Sequence, residues 1–318
     1  MSHYEDPLLA DVALRLENTD PAIRRVAVLD LVDSFEPEAI ELFIRALKDE
    51  DASVRQEAAR VIDEFDAGEM ADALLEALTS TDEAVRNAAA HALSDLKDPA
   101  AAPALLQALE VDNPFVVIGV LNALKHFRLA ETRPHALAYL EHADPGVRRA
   151  AATALGYLRD LSVIPALIPL ALHDPDPEVR RTAVGALLYA EEADIGPTLV
   201  TALQDDNWIV RSEAANGLGK LAAGFAMDAL IAATQDDFWQ VREKAALALG
   251  KLKAPAAIEA LGVCATHSMS NLRKAAIGAM GDIAHPDIAP YLATALEDPD
   301  PDVRKIARWA LSRIDHAA

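Results

Sequence analysis

Apolar and polar positions follow one pattern that returns every 31 residues along this chain. One copy is Asp144-Pro145-Gly146-Val147-Arg148-Arg149-Ala150-Ala151-Ala152-Thr153-Ala154-Leu155. Val147, Ala151, Ala154 and Leu155 share one face at the spacing of an amphipathic helix. Asp144 suits the N-cap, where its carboxylate accepts the orphan N–H groups of the first turn. Pro145 suits the first helical position, where no donor is needed.

The arginine of each copy serves as a ruler. Arg24, Arg55, Arg86, Val117, Arg148, Arg180, Arg211, Arg242, Arg273 and Arg304 occupy one column, with steps of 31 residues and a single step of 32 before Arg180. Three residues further on stand Ala27, Ala58, Ala89, Val120, Ala151, Ala183, Ala214, Ala245, Ala276 and Ala307. Seven further on stand Leu31, Ile62, Leu93, Leu124, Leu155, Leu187, Leu218, Leu249, Met280 and Leu311. Ten copies at this period predict a stacked array of supersecondary units, each burying its neighbour's apolar stripe. Each copy has room for two short helices, the first typified by residues 39–47 and the second starting at the Asp-Pro motif. The array is read as one domain over residues 1–318, with a capping helix near 7–17 and a C-terminal capping repeat near 286–315.

The D-P-x-V-R-x-x-A-A-x-A-L pattern, as in Asp176-Pro177-Glu178-Val179-Arg180-Arg181-Thr182-Ala183-Val184-Gly185-Ala186-Leu187, resembles the HEAT-like repeats of the phycocyanobilin lyase type. The resemblance covers essentially the whole chain. It implies an all-α, right-handed solenoid whose Asp and Arg columns make inter-repeat hydrogen bonds, with the second helices on the concave side. The pattern carries the fold and names no catalytic residue.

Composition narrows the partners. The formal charge is −22, which argues against a phosphate-backbone binder and favours solubility; it is either a well-solvated acidic surface or one that suits a partner with a basic surface. Acidic residues crowd the first three repeats, among them Asp33, Glu36, Glu38, Glu41, Asp63, Glu64, Asp66 and Glu69; they are either a solvated face or a docking surface. No apolar run is long enough to span a membrane. The start lacks the basic and apolar regions of a secretory signal, and a single cysteine permits no intrachain disulfide. The expectation is a cytoplasmic protein, monomeric or in a hetero-complex.

Departures from the pattern are the places where function is written. In the fourth repeat Val117 replaces the ruler arginine, beside Ile118 and Gly119, which suggests altered curvature or a covered surface. Trp208 and Trp239, 31 residues apart, begin the second helices of repeats seven and eight and form a candidate edge contact. Positions five and nine after the ruler lie one turn apart on the inner face. There the sequence varies: His91, Asp95, Asn122, His126, Tyr157, Tyr189, Asn216 and Lys220 form a polar and aromatic stripe. His126, Tyr157 and Tyr189 are consecutive in one column, a possible ladder for a peptide or a planar ligand. Cys264 falls in a column of alanines and is read as a small buried residue.

Catalytic signatures are missing. No His-Glu dipeptide occurs, which weakens any likeness to HEAT-like deoxyhypusine hydroxylases, whose di-iron ligands come from such pairs. Neither a phosphate loop, a C-x-x-C nor an H-E-x-x-H is present. Two function classes remain. The first is a non-enzymatic scaffold that holds a protein partner, without cofactor or metal. The second, implied by the resemblance, is a bilin lyase-like or tetrapyrrole-handling protein in which His126, Tyr157 and Tyr189 contact the pigment.

Overall fold

The computed structural model describes residues 4–34, 38–61, 67–81 and 83–315. Ile62, Glu36, Asp63, Glu64 and Asp66 lie outside the described residues. Two compact units divide the chain between Leu158 and Arg159, and every repeat contributes two helices. The first unit holds α1 (Pro7–Arg15), α2 (Pro21–Asp30), α3 (Ala39–Leu47), α4 (Ala52–Val61), α5 (Ala67–Ala77), α6 (Glu83–Asp95), α7 (Ala102–Ala108), α8 (Pro114–Phe127), α9 (Thr132–Ala138) and α10 (Pro145–Leu158). The second holds α11 (Ile164–His173), α12 (Pro177–Leu187), α13 (Glu192–Ala202), α14 (Trp208–Lys220), α15 (Met227–Ala233), α16 (Trp239–Lys251), α17 (Ile258–Cys264), α18 (Ser270–Ile283), α19 (Ala289–Ala295) and α20 (Pro301–Asp315). No strand occurs among the described residues. The fold is an all-α solenoid.

The second helices begin where the Asp-Pro motif predicts. The side chains of Asp20, Asp51, Asn113, Asp144, Asp176, Asn207 and Asp300 each accept the N–H two residues ahead. Each such cap is worth about 1 kcal/mol. Within the first unit α6 packs on α8 and α8 on α10; within the second, α12, α14, α16, α18 and α20 pack in sequence. The alanine column lies wholly inside these contacts, as does the leucine column from Leu31 to Met280 wherever it is described. A fully buried leucine contributes about 1.5–3 kcal/mol, so the repeated column supplies the continuous core. Leu311, in the last repeat, is partly exposed.

Small residues set the helix spacing in the second unit. A Cβ on Gly219 would stand 2.8 Å from Cα of Ala248, and one on Gly250 would stand 2.7 Å from Cα of Ala279. Glycine is required there because the backbones of α14, α16 and α18 approach too closely for any side chain.

The arginine column ties each repeat together. Nη1 of Arg24, Arg55, Arg86, Arg148, Arg211, Arg273 and Arg304 donates to the two carbonyls at the end of the preceding turn, and Arg180 donates to one, that of Asp174. The same guanidinium then reaches the next repeat. Arg24 forks onto Asp49, Arg180 onto Asp205, Arg211 onto Asp236 and Arg273 onto Asp298, through bonds of 2.6–2.8 Å. At the acceptor position opposite Arg55, Arg86 and Arg242 stand Ser80, Val111 and His267, so these three repeats lack the fork.

At the fourth repeat, which lacks the ruler arginine, contacts to the preceding turn come from the fifth repeat. Val117 and Gly119 are buried and face the core, whereas Ile118 is half-buried and lines an open cleft. The carbonyl of Leu109, at the end of α7, accepts a 2.5 Å hydrogen bond from the Tyr139 hydroxyl. His142 Nε2 lies 3.7 Å from Asp112.

Candidate protein-binding surface

Helical periodicity places the inner stripe on the second helices. In the first unit, His91 and Asp95 lie on α6, Asn122 and His126 on α8, and Tyr157 on α10. His91, Asp95, His126 and Tyr157 are exposed, and Asn122 is half-buried. His91 and Asn122 line a cleft of about 390 Å³ between α6 and α8, whose walls include Phe115 and Ile118. His91 and Asp95 also line a second cleft, of about 620 Å³, beside Arg55 and Gln56. A wet, concave surface with apolar walls and a few polar groups suits side-chain recognition.

His126 and Tyr157 meet. Their rings pack edge to face, with centroids 5.6 Å apart and planes at 82°. The Lys125 ammonium lies 5.8 Å from the Tyr157 centroid and bonds to Asn122 Oδ1 at 3.4 Å. Lys125 sits outside the predicted stripe. Its place between Asn122 and Tyr157, at three residues' spacing from Asn122, was the available signal.

The remaining stripe residues belong to the second unit. Tyr189 does not stand on a helix, because α12 ends at Leu187 and Tyr189 lies in the following turn. Its hydroxyl donates to the Asp160 carbonyl at 2.7 Å. Burial, together with the Asp160 charge, pushes its pKa up to about 12. Tyr189 is therefore a neutral tie within its own unit, and within the first unit the column brings His126 and Tyr157 together. Asn216 is half-buried and donates to Glu213; Lys220, the last residue of α14, is exposed.

The two tryptophans occupy equivalent positions at the starts of α14 and α16, both half-buried. Trp208 does not stack on Trp239. Its ring lies on Phe238, with centroids 5.6 Å apart and planes at 15°, and the Arg211 guanidinium is 5.8 Å from the same phenyl centroid. Phe238 fills an N-cap position that is Asp or Asn in most other repeats, and Met269 fills the next one. Neither makes a cap bond, and they are 43% and 39% exposed. Two consecutive caps have thus been exchanged for accessible apolar side chains. The broken Asp/Asn column was the sequence signal for them.

Cys264 is buried, and burial pushes its thiol up to about 11. Its Sγ lies 3.5 Å from the Thr234 carbonyl. Among the described residues no group of three His, Cys, Asp or Glu side chains is placed to hold a metal ion, and no helix is long and apolar enough to cross a membrane.

A sequence-family profile described as HEAT repeats matches residues 9–77, 41–125, 116–188, 164–224, 196–268 and 263–318. No curated protein sequence matches the chain. Among solved structures, an engineered protein is 23% identical with a TM-score of 0.50, the match covering 98% of this chain and 99% of that one. The Escherichia coli protein YibA is 18% identical with a TM-score of 0.51, covering 99% of both chains. Yeast importin-β, Kap95p, is 16% identical with a TM-score of 0.62; the match covers 97% of this chain and 50% of the importin, so the chain spans half the length of that relative. At these identities the likeness is one of fold.

Proposed function

Since this chain belongs to the HEAT-repeat family, we propose that it is a non-enzymatic scaffold that binds a protein partner through the second-helix face of its solenoid. The observation that carries this reading is a non-repeating surface on a repeating frame. His91, Asn122, His126 and Tyr157 differ from repeat to repeat where the Ala, Leu and Arg columns are nearly constant; His91 and the half-buried Asn122 line an open cleft, and His126 and Tyr157 are exposed beside each other. Lys125, His126 and Tyr157 together offer hydrogen-bond donors and an aromatic edge, a combination that fits polar and aromatic side chains of a protein better than a reacting substrate. Asn216 and Lys220 extend the same class of surface in the second unit, with Trp208 and Trp239 as the edge contact. Solved complexes of the fold relative Kap95p with RanGDP and with Nup1 are consistent with a solenoid used for holding proteins.

The repeat type within the family, on our reading, is that of the phycocyanobilin lyases, on the strength of the D-P-x-V-R pattern. The test is an affinity pull-down from source-cell lysate with the intact protein, in parallel with a Trp208→Ala/Trp239→Ala/Tyr157→Ala variant. A protein partner captured by the first and lost by the second is the expected result. A coloured small molecule eluting instead would favour tetrapyrrole handling, and a partner that survives in the variant would remove the stripe and the edge from the binding surface.

A further inference from the structure

The first helices of repeats two and three, α3 and α5, leave a groove between them of about 900 Å³. Its floor is apolar, made by Ile40, Ile44, Ala73, Ala77 and Val85. Val85 holds the repeat position that is fully buried at Val54, Val147 and Val241, yet here it is only half-buried. The groove therefore keeps apolar surface in contact with water at a position that every later repeat closes over and that only Ile23, in the first repeat, also exposes among the described residues.

Its rim is acidic. Glu38, Glu41, Glu69, Asp72 and Glu76 line it, all exposed. The bases on the rim are Arg45 and Lys48, and Arg45 already lies 3.5 Å from Glu17. Five carboxylates against two bases leave a formal excess of three negative charges along one apolar trough. A polyanion or an anionic membrane surface is repelled by such a rim. A segment with cations flanking an apolar stripe is attracted and seated.

Helices wall the groove on both sides, so no sheet edge is offered for strand addition. An apolar furrow between neighbouring helices instead accepts the ridge of another helix, which is how this array adds its own. α3 and α5 have nine and eleven residues, roughly 14–16 Å of length at the helical rise. That accommodates two to three turns, with anchors at i, i+3 or i+4, and i+7. We propose that the groove between α3 and α5 docks a basic amphipathic helix of a protein partner. This rests on the reading of the chain as a protein-binding solenoid but places the contact on the first helices, away from the stripe.

The probe is a fluorescein-labelled, C-amidated peptide of sequence KLAKLAKKLAKLAK, followed by fluorescence anisotropy with the full chain at about 0.15 M salt, where long-range attraction is screened. Three variants are compared. Glu41→Lys/Asp72→Lys/Glu76→Lys reverses the rim. Asp228→Lys/Glu259→Lys/Glu297→Lys makes the same charge change on exposed residues of the second unit. Ala73→Trp fills the floor without charge. The first and third should weaken the peptide about tenfold or more, and the second by no more than about twofold. A thermal melt of each variant checks folding, and the rim variant alone decides should Ala73→Trp unfold.

Equal weakening by the distant charge change would reduce the binding to net charge and overturn the site. So would equal affinity for a scrambled peptide without the apolar stripe, or no anisotropy change up to about 1 mM protein. A His126→Ala/Tyr157→Ala variant should hold the peptide as well as the parent. If it loses the peptide instead, the groove assignment fails while the stripe reading gains; if the groove variants fail to act but the lysate partner is still lost with the stripe, only the groove is wrong.

Discussion

The Arg211 guanidinium forks onto Asp236, Nε 2.6 Å from one carboxylate oxygen and Nη2 2.8 Å from the other, while its Nη1 holds the carbonyls of Asp205 and Asp206. One side chain thus closes its own repeat and fastens the next. Asp236 is equally double-tasked, since it accepts the N–H of Phe238 as well. Both partners are largely sequestered from solvent, at 13% and 11% side-chain exposure. Asp236→Asn should therefore cost about 3 kcal/mol, the range expected when one member of a buried pair is removed. Urea unfolding of the full chain measures it. A cost below about 0.5 kcal/mol would mean the fork is no stronger than a surface ion pair.

The same forks set the acid stability. Burial alone would raise the Asp236 pKa, but the hydrogen bonds from Arg211 and the Phe238 N–H, with the charges of Arg211 and Arg242, outweigh it and hold the carboxyl below its ordinary value. Asp49, Asp205 and Asp298 are lowered in the same way by Arg24, Arg180 and Arg273. A depressed folded pKa gives stability that is present above the unfolded value and lost as pH falls through the folded one. Melting temperature should be flat from pH 7 to about 5 and fall steeply below about 4. Asp236→Asn should melt lower at pH 7 but lose less on acidification than the parent; an identical acid slope in both would remove this fork from the account.

Second helices end without glycine. Arg128, Arg159, Ala222, Lys253 and Ala284 all take φ near 50°, and all stand eleven residues after the ruler. At Ala222 the turn is closed by the bond from Ala223 N–H to the Leu218 carbonyl at 3.0 Å. A left-handed residue with a Cβ costs roughly 1 kcal/mol relative to glycine. Ala222→Gly should therefore stabilise the chain by about 0.5–1 kcal/mol, read as a higher urea midpoint with an unchanged slope.

These turns mark where sequence reading stops. The alanine and leucine columns were legible because burial imposes a strict period on them. The arginine column was legible as a ruler, but its acceptors were expected only by family resemblance. Ser80, Val111 and His267, which break the forks, stand out only once the fork is seen. The second-helix ends were hidden because the usual C-terminal glycine is absent. The column carries Tyr189 onto a helix by spacing alone, although α12 ends two residues before it, at Leu187. The groove between α3 and α5 depends on how two first helices face each other, which no column records.

Cys264 tests the burial of the first-helix column. Its position holds alanine in Ala46, Ala77, Ala108, Ala202, Ala233 and Ala295, and its thiol is raised to about 11. Since the thiolate is the reacting species, a thiol reagent at pH 8 should label the native protein at least about a hundredfold more slowly than the urea-unfolded chain. Labelling at the unfolded rate would place the sulfur at the surface.

Phe238 and Met269 set stability against binding at the two lost caps. Returning each to aspartate restores the residue type that caps other second helices, so Phe238→Asp should add about 1 kcal/mol through a bond to the N–H of residue 240. Against that gain stands the stacking of Trp208 on Phe238, worth about 0.5–1.5 kcal/mol. The two terms nearly cancel for Phe238→Asp. Met269 makes no such stack, so Met269→Asp should show the cap gain almost undiminished. The expected order of urea midpoints is Met269→Asp above the parent, with Phe238→Asp close to it. Both variants should hold less of any partner recovered by pull-down if this accessible apolar row takes part in the edge contact. Unchanged recovery in the double variant would leave the row without a binding role and confine the edge to the tryptophans themselves.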